Sequence, residues 1–176
     1  MVAGISRAAA RRSGVVDAGA PAVPVGELAA VALGRAALFD GLRTDFSLAR
    51  LKHYTGTPAE HVQRYILFTN YHRYVDHFVE WSIERLKQPG PYKRLSAPGG
   101  IMVDAKTKDA AQKVNDGPWR RHQMPAYHLM ADDRNGITLV NIGVGPSNAK
   151  TITDHLAVLR PECWIMVGHC GGLRHS

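Results

Sequence analysis

Gly136-Ile137-Thr138-Leu139-Val140-Asn141-Ile142-Gly143-Val144-Gly145-Pro146-Ser147-Asn148-Ala149-Lys150 reads as a strand running into a glycine turn and then a helix start. Such a turn is a ready anion site. Amides at a helix N-terminus lack intrahelical partners and carry the positive end of the dipole, so a phosphate or carboxylate fits there without a dedicated charged side chain. Pro146 suits a first helical position, Ala149, Ile152, Leu156 and Leu159 recur at helical spacing, and Pro161 stops the element. Cys163-Trp164-Ile165-Met166-Val167 follows as a short apolar run, and Gly168-His169-Cys170-Gly171-Gly172 forms a second glycine-rich turn. A crossover of this length predicts two parallel strands side by side, with both glycine turns opening at the same carboxyl edge of the sheet. That edge is where open α/β sheets bind ligands.

The turn sequence disfavours two nucleotide-binding classes, NAD and P-loop NTP binding. Gly143-Val144-Gly145-Pro146-Ser147-Asn148 has Asn where the dinucleotide fingerprint wants a third small residue, and no Lys-Ser/Thr follows as a P-loop requires. Taken alone, the glycines read equally well as tight connections between strand and helix.

Upstream, Arg64-Tyr65-Ile66-Leu67-Phe68-Thr69 is a β-rich apolar run, followed by Asn70-Tyr71-His72-Arg73 and an amphipathic helix carrying Tyr74, Phe78, Trp81, Ile83 and Leu86. That helix ends near Gln88-Pro89-Gly90-Pro91. Ser96 to Val103 looks like a loop entering a strand, and Asp104 to Trp119 is polar with weak helical character. Ala126-Tyr127-His128-Leu129-Met130 alternates enough to be a strand hairpinned onto Ile137–Ile142 through Asp132-Asp133-Arg134-Asn135-Gly136, whose Asn-Gly is a turn signal. The basic cluster before it reads as a solvated face.

Composition bounds the class. The 176 residues are 45% apolar, with no apolar run near the ~20 residues of a membrane span. Cys163 and Cys170 are too few for a disulfide scaffold and have no metal spacing, so a reducing compartment is expected. The net charge of +7 comes from scattered cations without a nucleic-acid module, and it suits a small polyanion such as a nucleotide better than nucleic acid. Residues 1–37 break from the rest: twelve alanines, arginine without lysine, and only Asp17 and Glu27 as acids. A disordered leader or a misassigned start is expected there ahead of a transit peptide.

From about Leu38 to Arg174 the chain resembles the AMP nucleosidases, whose catalytic domain belongs to the nucleoside phosphorylase superfamily. The resemblance rests on Thr44-Asp45-Phe46-Ser47-Leu48-Ala49-Arg50-Leu51, His53-Tyr54-Thr55-Gly56-Thr57-Pro58, Leu67-Phe68-Thr69-Asn70-Tyr71 and Arg73-Tyr74-Val75-Asp76. It continues through His122-Gln123-Met124-Pro125-Ala126, Gly136 to Lys150, Asp154 to Pro161, and Gly168-His169-Cys170-Gly171-Gly172-Leu173-Arg174.

The resemblance implies an α/β fold, a partial three-layer nucleoside-phosphorylase-like arrangement with a mixed central sheet flanked by helices. Residues 1–37 would be a leader, 38–62 a connector, and 63–176 the first half of the catalytic domain. The implied reaction is hydrolysis of the N-glycosidic bond of AMP to adenine and ribose 5-phosphate. The alternatives are a phosphorylase-like enzyme and a non-catalytic nucleotide-binding module. Substrate and phosphate contacts fall on Thr69, Asn70, Arg73, Gly143, Val144, Gly145, Pro146, Ser147 and His169, with Arg73 in the loop after the first strand. No metal or cofactor is implied. AMP is the expected partner, phosphate and ATP are expected regulators, and a cytoplasmic homo-oligomer without nucleic-acid or membrane contacts is expected.

Three departures from the family pattern bear on mechanism. Met166 stands where the superfamily has a second phosphate arginine, which favours water over phosphate as nucleophile. His169 replaces the usual hydroxyl residue, either bonding phosphate or ribose or packing beside Trp164. Cys170 reads as a small buried filler rather than a nucleophile. Relatives continue past Arg174 to a Met-Glu pair for the ribose hydroxyls and an Asp for the leaving base, so the chain is expected to be a fragment that is inactive alone.

Overall fold

The structure, a computed structural model, describes residues 41–169. The expected leader over residues 1–37, and Cys170, Gly171 and Gly172 of the second turn, lie outside the described residues. Four helices, α1 Gly41–Thr55, α2 His72–Leu86, α3 Ala110–Asn115 and α4 Pro146–Leu156, accompany six strands. These are β1 Tyr65–Thr69, β2 Tyr92–Ala97, β3 Ile101–Val103, β4 Ala126–Ala131, β5 Ile137–Asn141 and β6 Cys163–Val167. The strands form one mixed sheet in the order β3-β2-β4-β5-β1-β6.

The pleat sorts the core into two faces. Successive side chains of a strand point to opposite sides. Ile66 and Phe68 of β1, Ala126 of β4 and Val140 of β5 pack with Leu51 of α1 and Ile152 and Leu156 of α4. Leu67, Tyr127, Leu129 and Leu139 point the other way, onto Val75, Phe78, Val79 and Ile83 of α2 and Val114 of α3. Helices therefore cover both faces of a mixed sheet, the expected three-layer α/β arrangement. Within α2 the buried stripe is Val75, Phe78, Val79, Ser82, Ile83 and Leu86, while Tyr74 and Trp81, expected on that face, are only half-buried.

The crossover from β5 through α4 to β6 is present, but the two strands are not neighbours as expected. β1 lies between them, parallel to both, with Thr69 aligned to Asn141 on one side and to Val167 on the other. A crossover fixes direction, whereas burial chooses the neighbour: β1 is apolar on both of its faces, as a central parallel strand must be. The common carboxyl edge therefore holds three strand ends rather than two.

Two elements go beyond the sequence reading. β2 pairs antiparallel with both β3 and β4, and its Leu95, Ser96 and Ala97 are all buried. Residues 38–62, expected as a connector, contain the 15-residue helix α1, which lies against α4 with Ser47 Oγ and His155 Nδ1 3.3 Å apart.

The β4–β5 connection is as expected, yet Gly136 serves it differently. Asp133 and Arg134, not Gly136, take the left-handed backbone at φ 52° and 60°. Gly136 is required by close approach, because a Cβ there would lie 2.0 Å from the Leu129 carbonyl oxygen.

Candidate functional site

Three loops converge where β1, β5 and β6 end in register: Asn70-Tyr71, Ile142 to Gly145, and Gly168-His169. The Ile142 amide donates to the Thr69 carbonyl at 2.8 Å, tying the glycine turn to the end of β1. The built Cβ position of Gly168 lies 3.6 Å from Asn70 Oδ1, so the third loop reaches the first.

The glycine turn is shaped by its own asparagines. Asn141 Oδ1 accepts the Gly143 amide at 3.1 Å, and Asn148 Nδ2 donates to the Ile142 carbonyl at 3.0 Å. Gln123 Nε2 in turn donates to Asn148 Oδ1 at 2.9 Å. Gly143 at φ 63° and Gly145 at φ 104° hold backbone that L side chains rarely adopt. The turn delivers the chain into α4 with Gly145 as N-cap and Pro146 in the first turn. Gly143's amide is thus already engaged and Pro146 has none. The donors this turn offers are the amides of Val144, Gly145 and Ser147, which have no acceptor among the described residues. Val144 and Ser147 are exposed, and Val144 stands 87% in solvent.

Arg73 lies not in a loop but at the second position of α2, exposed and without an ion pair or hydrogen bond among the described residues. The helix begins at His72 with no side-chain cap at Tyr71, so nothing in the local sequence marked that boundary. No acid occupies the first turn of α2, which leaves the Arg73 cation at the positive end of the dipole. Thr69 is fully buried, and its Oγ1 accepts the Tyr71 amide at 3.2 Å, so it shapes the loop, while Asn70 is exposed.

His169 does not pack beside Trp164, whose ring contact is with Phe68. Its ring meets Tyr71 edge-on at 5.1 Å and Tyr74 at 5.7 Å, and Tyr74 Oη lies 3.1 Å from its Nε2. Tyr71, Tyr74, Asn141 and Asn148 are site-shaping residues that the sequence reading missed. Asn148 carried a signal, the Asn in place of a third small residue; the tyrosines carried none apart from their place after a strand.

Met166 is 53% exposed on β6, in register with Phe68. An open cavity of about 560 Å³ lies elsewhere, beside α3 and β3, lined by Ile101, Lys108, Asp109, Gln112 and neighbours, and no residue at the shared end of β1, β5 and β6 borders it. Among the described residues, no group of three His, Cys, Asp or Glu is gathered to hold a metal, and no helix is long and apolar enough to cross a membrane.

No family profile matches the chain. Over 139 residues, 78% of its length, it is 61% identical to AMP nucleosidase of Escherichia coli strain K12, and the same figures hold for AMP nucleosidase of E. coli O157:H7. The match covers 29% of those relatives. The crystal structure of AMP nucleosidase from Bacteroides thetaiotaomicron VPI-5482 superposes with a TM-score of 0.51 at 25% identity, covering 74% of this chain and 41% of that one. In sequence and in fold alike, the chain is similar to part of AMP nucleosidase.

Proposed function

We propose that the fold serves hydrolysis of the N-glycosidic bond of AMP, giving adenine and ribose 5-phosphate, with the shared end of β1, β5 and β6 holding the ribosyl phosphate. The 61% identity to AMP nucleosidase carries the reading. The geometry supports it: amides of Val144, Gly145 and Ser147 at the start of α4, and Arg73 at the start of α2, none of them partnered among the described residues, are two positive groups suited to an anion. Arginine suits phosphate because its planar fork matches two oxygens. Asn70 and His169, on the loops between them, are donors for ribosyl or phosphate oxygens.

Departure of adenine leaves positive charge on the ribosyl ring, and fixed donors on the phosphate hold that ring in place for attack. Met166 in place of a second phosphate arginine favours water as nucleophile. The same reading carries phosphate and ATP as regulators, homo-oligomeric assembly, a place in AMP salvage and a cytoplasmic location.

The test is a chimera in which this chain's matched residues replace the corresponding 139 residues of the E. coli enzyme. Adenine and ribose 5-phosphate released in equal amounts from AMP, without uptake of phosphate, is the expected result. Stoichiometric phosphate uptake would instead identify a phosphorylase, and AMP binding without cleavage a nucleotide-binding module.

A further inference from the structure

Beyond the anion-binding groups, the strand edge holds one contact between distant parts of the chain that the proposed reaction leaves unused. Tyr74, in the first turn of α2, and His169, just past β6, are 95 residues apart in sequence, yet Oη and Nε2 lie 3.1 Å apart. Tyr71 closes the group, its ring 5.1 Å from His169 and 6.1 Å from Tyr74, each edge-on. Such edge-to-face contacts hold ring orientation as well as position.

We infer that Tyr74 is a positioning residue that fixes the tautomer of His169, so that the imidazole presents Nδ1–H as a hydrogen-bond donor for an oxygen of the bound ribosyl phosphate. The inference rests on the proposed function for the identity of that ligand, but not for the state of the ring. Tyr74 Oη and His169 Nε2 are in hydrogen-bond contact, and of the two groups the phenol O–H is the stronger acid and the bare imidazole nitrogen the stronger acceptor, so the phenol is the donor. That donation makes Nε2 the acceptor nitrogen and leaves the neutral ring's own proton on Nδ1. Nδ1 has no protein partner among the described residues, so its donor capacity is left for a ligand.

Without the phenol, the imidazole would choose its tautomer freely and turn about its side-chain bonds. An acceptor nitrogen facing an anion repels it, so the tautomer decides whether His169 helps or hinders binding. Tyr71 supplies packing alone, since it meets His169 ring to ring.

Imidazole nitrogen NMR of the 176-residue chain, at a pH where the ring is neutral, tests this, with the His169 signal assigned by its loss in His169→Asn. The wild type is expected to show an unprotonated Nε2 and a protonated Nδ1. Tyr74→Phe keeps the ring and is expected to shift the balance toward Nε2–H, while Tyr71→Leu, which removes only an edge contact, leaves the tautomer unchanged. Titrated with ribose 5-phosphate, Tyr74→Phe should bind about three- to tenfold more weakly, the range of one lost hydrogen bond, and should add no further loss to His169→Asn. An unchanged tautomer in Tyr74→Phe with the circular dichroism spectrum intact would overturn the inference. So would an equal loss of affinity in the His169→Asn background. Failure of the wild type to bind ribose 5-phosphate would count against the proposed function alone, because the tautomer comparison decides the role of Tyr74 without any ligand.

Discussion

Thr57 Oγ1 and His128 Nε2 lie 2.7 Å apart although 71 residues separate them, and both side chains are completely shielded from solvent. The pair belongs to a chain of hydrogen bonds whose direction can be assigned. Because the Thr55 proton goes to the Leu51 carbonyl at 2.7 Å, Thr57 gives its own to Thr55 Oγ1 at 2.9 Å and must accept from His128 Nε2–H. The neutral ring's Nδ1 then accepts from the Thr138 hydroxyl at 2.9 Å, and Thr138 Oγ1 accepts the Gln63 amide at 2.8 Å. This relay fastens the end of α1 to the sheet. Thr57→Val leaves the Nε2 proton without an acceptor, and chemical denaturation should show a loss of about 1–3 kcal/mol. An unchanged midpoint would mean that the relay holds nothing together.

The same histidine predicts acid sensitivity. Burial, with His61 beside it, depresses the His128 pKa to about 3, far below its ordinary value. The unfolded chain takes up this proton near pH 6.5, whereas the folded chain does not until about pH 3. The unfolded state therefore binds more protons across that window, and stability falls as pH drops through it, by about 5 kcal/mol in all and about 3 kcal/mol by pH 4.5. Denaturation midpoints measured from pH 7.5 to 4.5 check this, and His128→Gln should flatten the dependence.

Gly145→Ala separates backbone geometry from packing. A Cβ at Gly145 meets open space, but its φ of 104° is one that alanine resists. The substitution is expected to cost about 1–3 kcal/mol or to reshape the turn, and in either case to weaken ribose 5-phosphate binding. Gly90→Ala, at a position with neither positive φ nor a close neighbour, is the matched control and should leave binding unchanged.

β6 pairs with β1 on one side, and Trp164, Ile165 and Met166 are 37%, 50% and 53% exposed. An apolar edge strand of this kind invites pairing with another chain. Sedimentation of the purified chain should show concentration-dependent association, and Ile165→Lys should reduce it. A monodisperse monomer at high concentration would contradict this.

Much of this arrangement was legible in order along the chain. Apolar runs, the Asn135-Gly136 turn and the Gly145-Pro146 helix start gave β1, β4, β5, α4 and β6, because each signal is local. β2 escaped because Tyr92-Lys93-Arg94 is polar while Leu95-Ser96-Ala97 is buried on both faces, so no alternation remains to be read. The insertion of β1 between β5 and β6 is a pairing between distant segments that no local pattern encodes. At the candidate site, the glycine turn and Arg73 could be read from spacing and resemblance. The Tyr71–Tyr74–His169 group could not, since it exists only once β6 lies beside β1.

In the proposed function, the common end of β1, β5 and β6 binds the phosphate of a ribosyl phosphate through Arg73 and the amides at the start of α4. Calorimetric titration of the chain with AMP and with adenosine, in wild type and in Arg73→Gln, tests it most directly. AMP is expected to bind at least about tenfold more tightly than adenosine, the scale of one hydrogen bond to a charged group, and Arg73→Gln to remove most of that preference. Equal affinity for AMP and adenosine, or a preference untouched by Arg73→Gln, would contradict it.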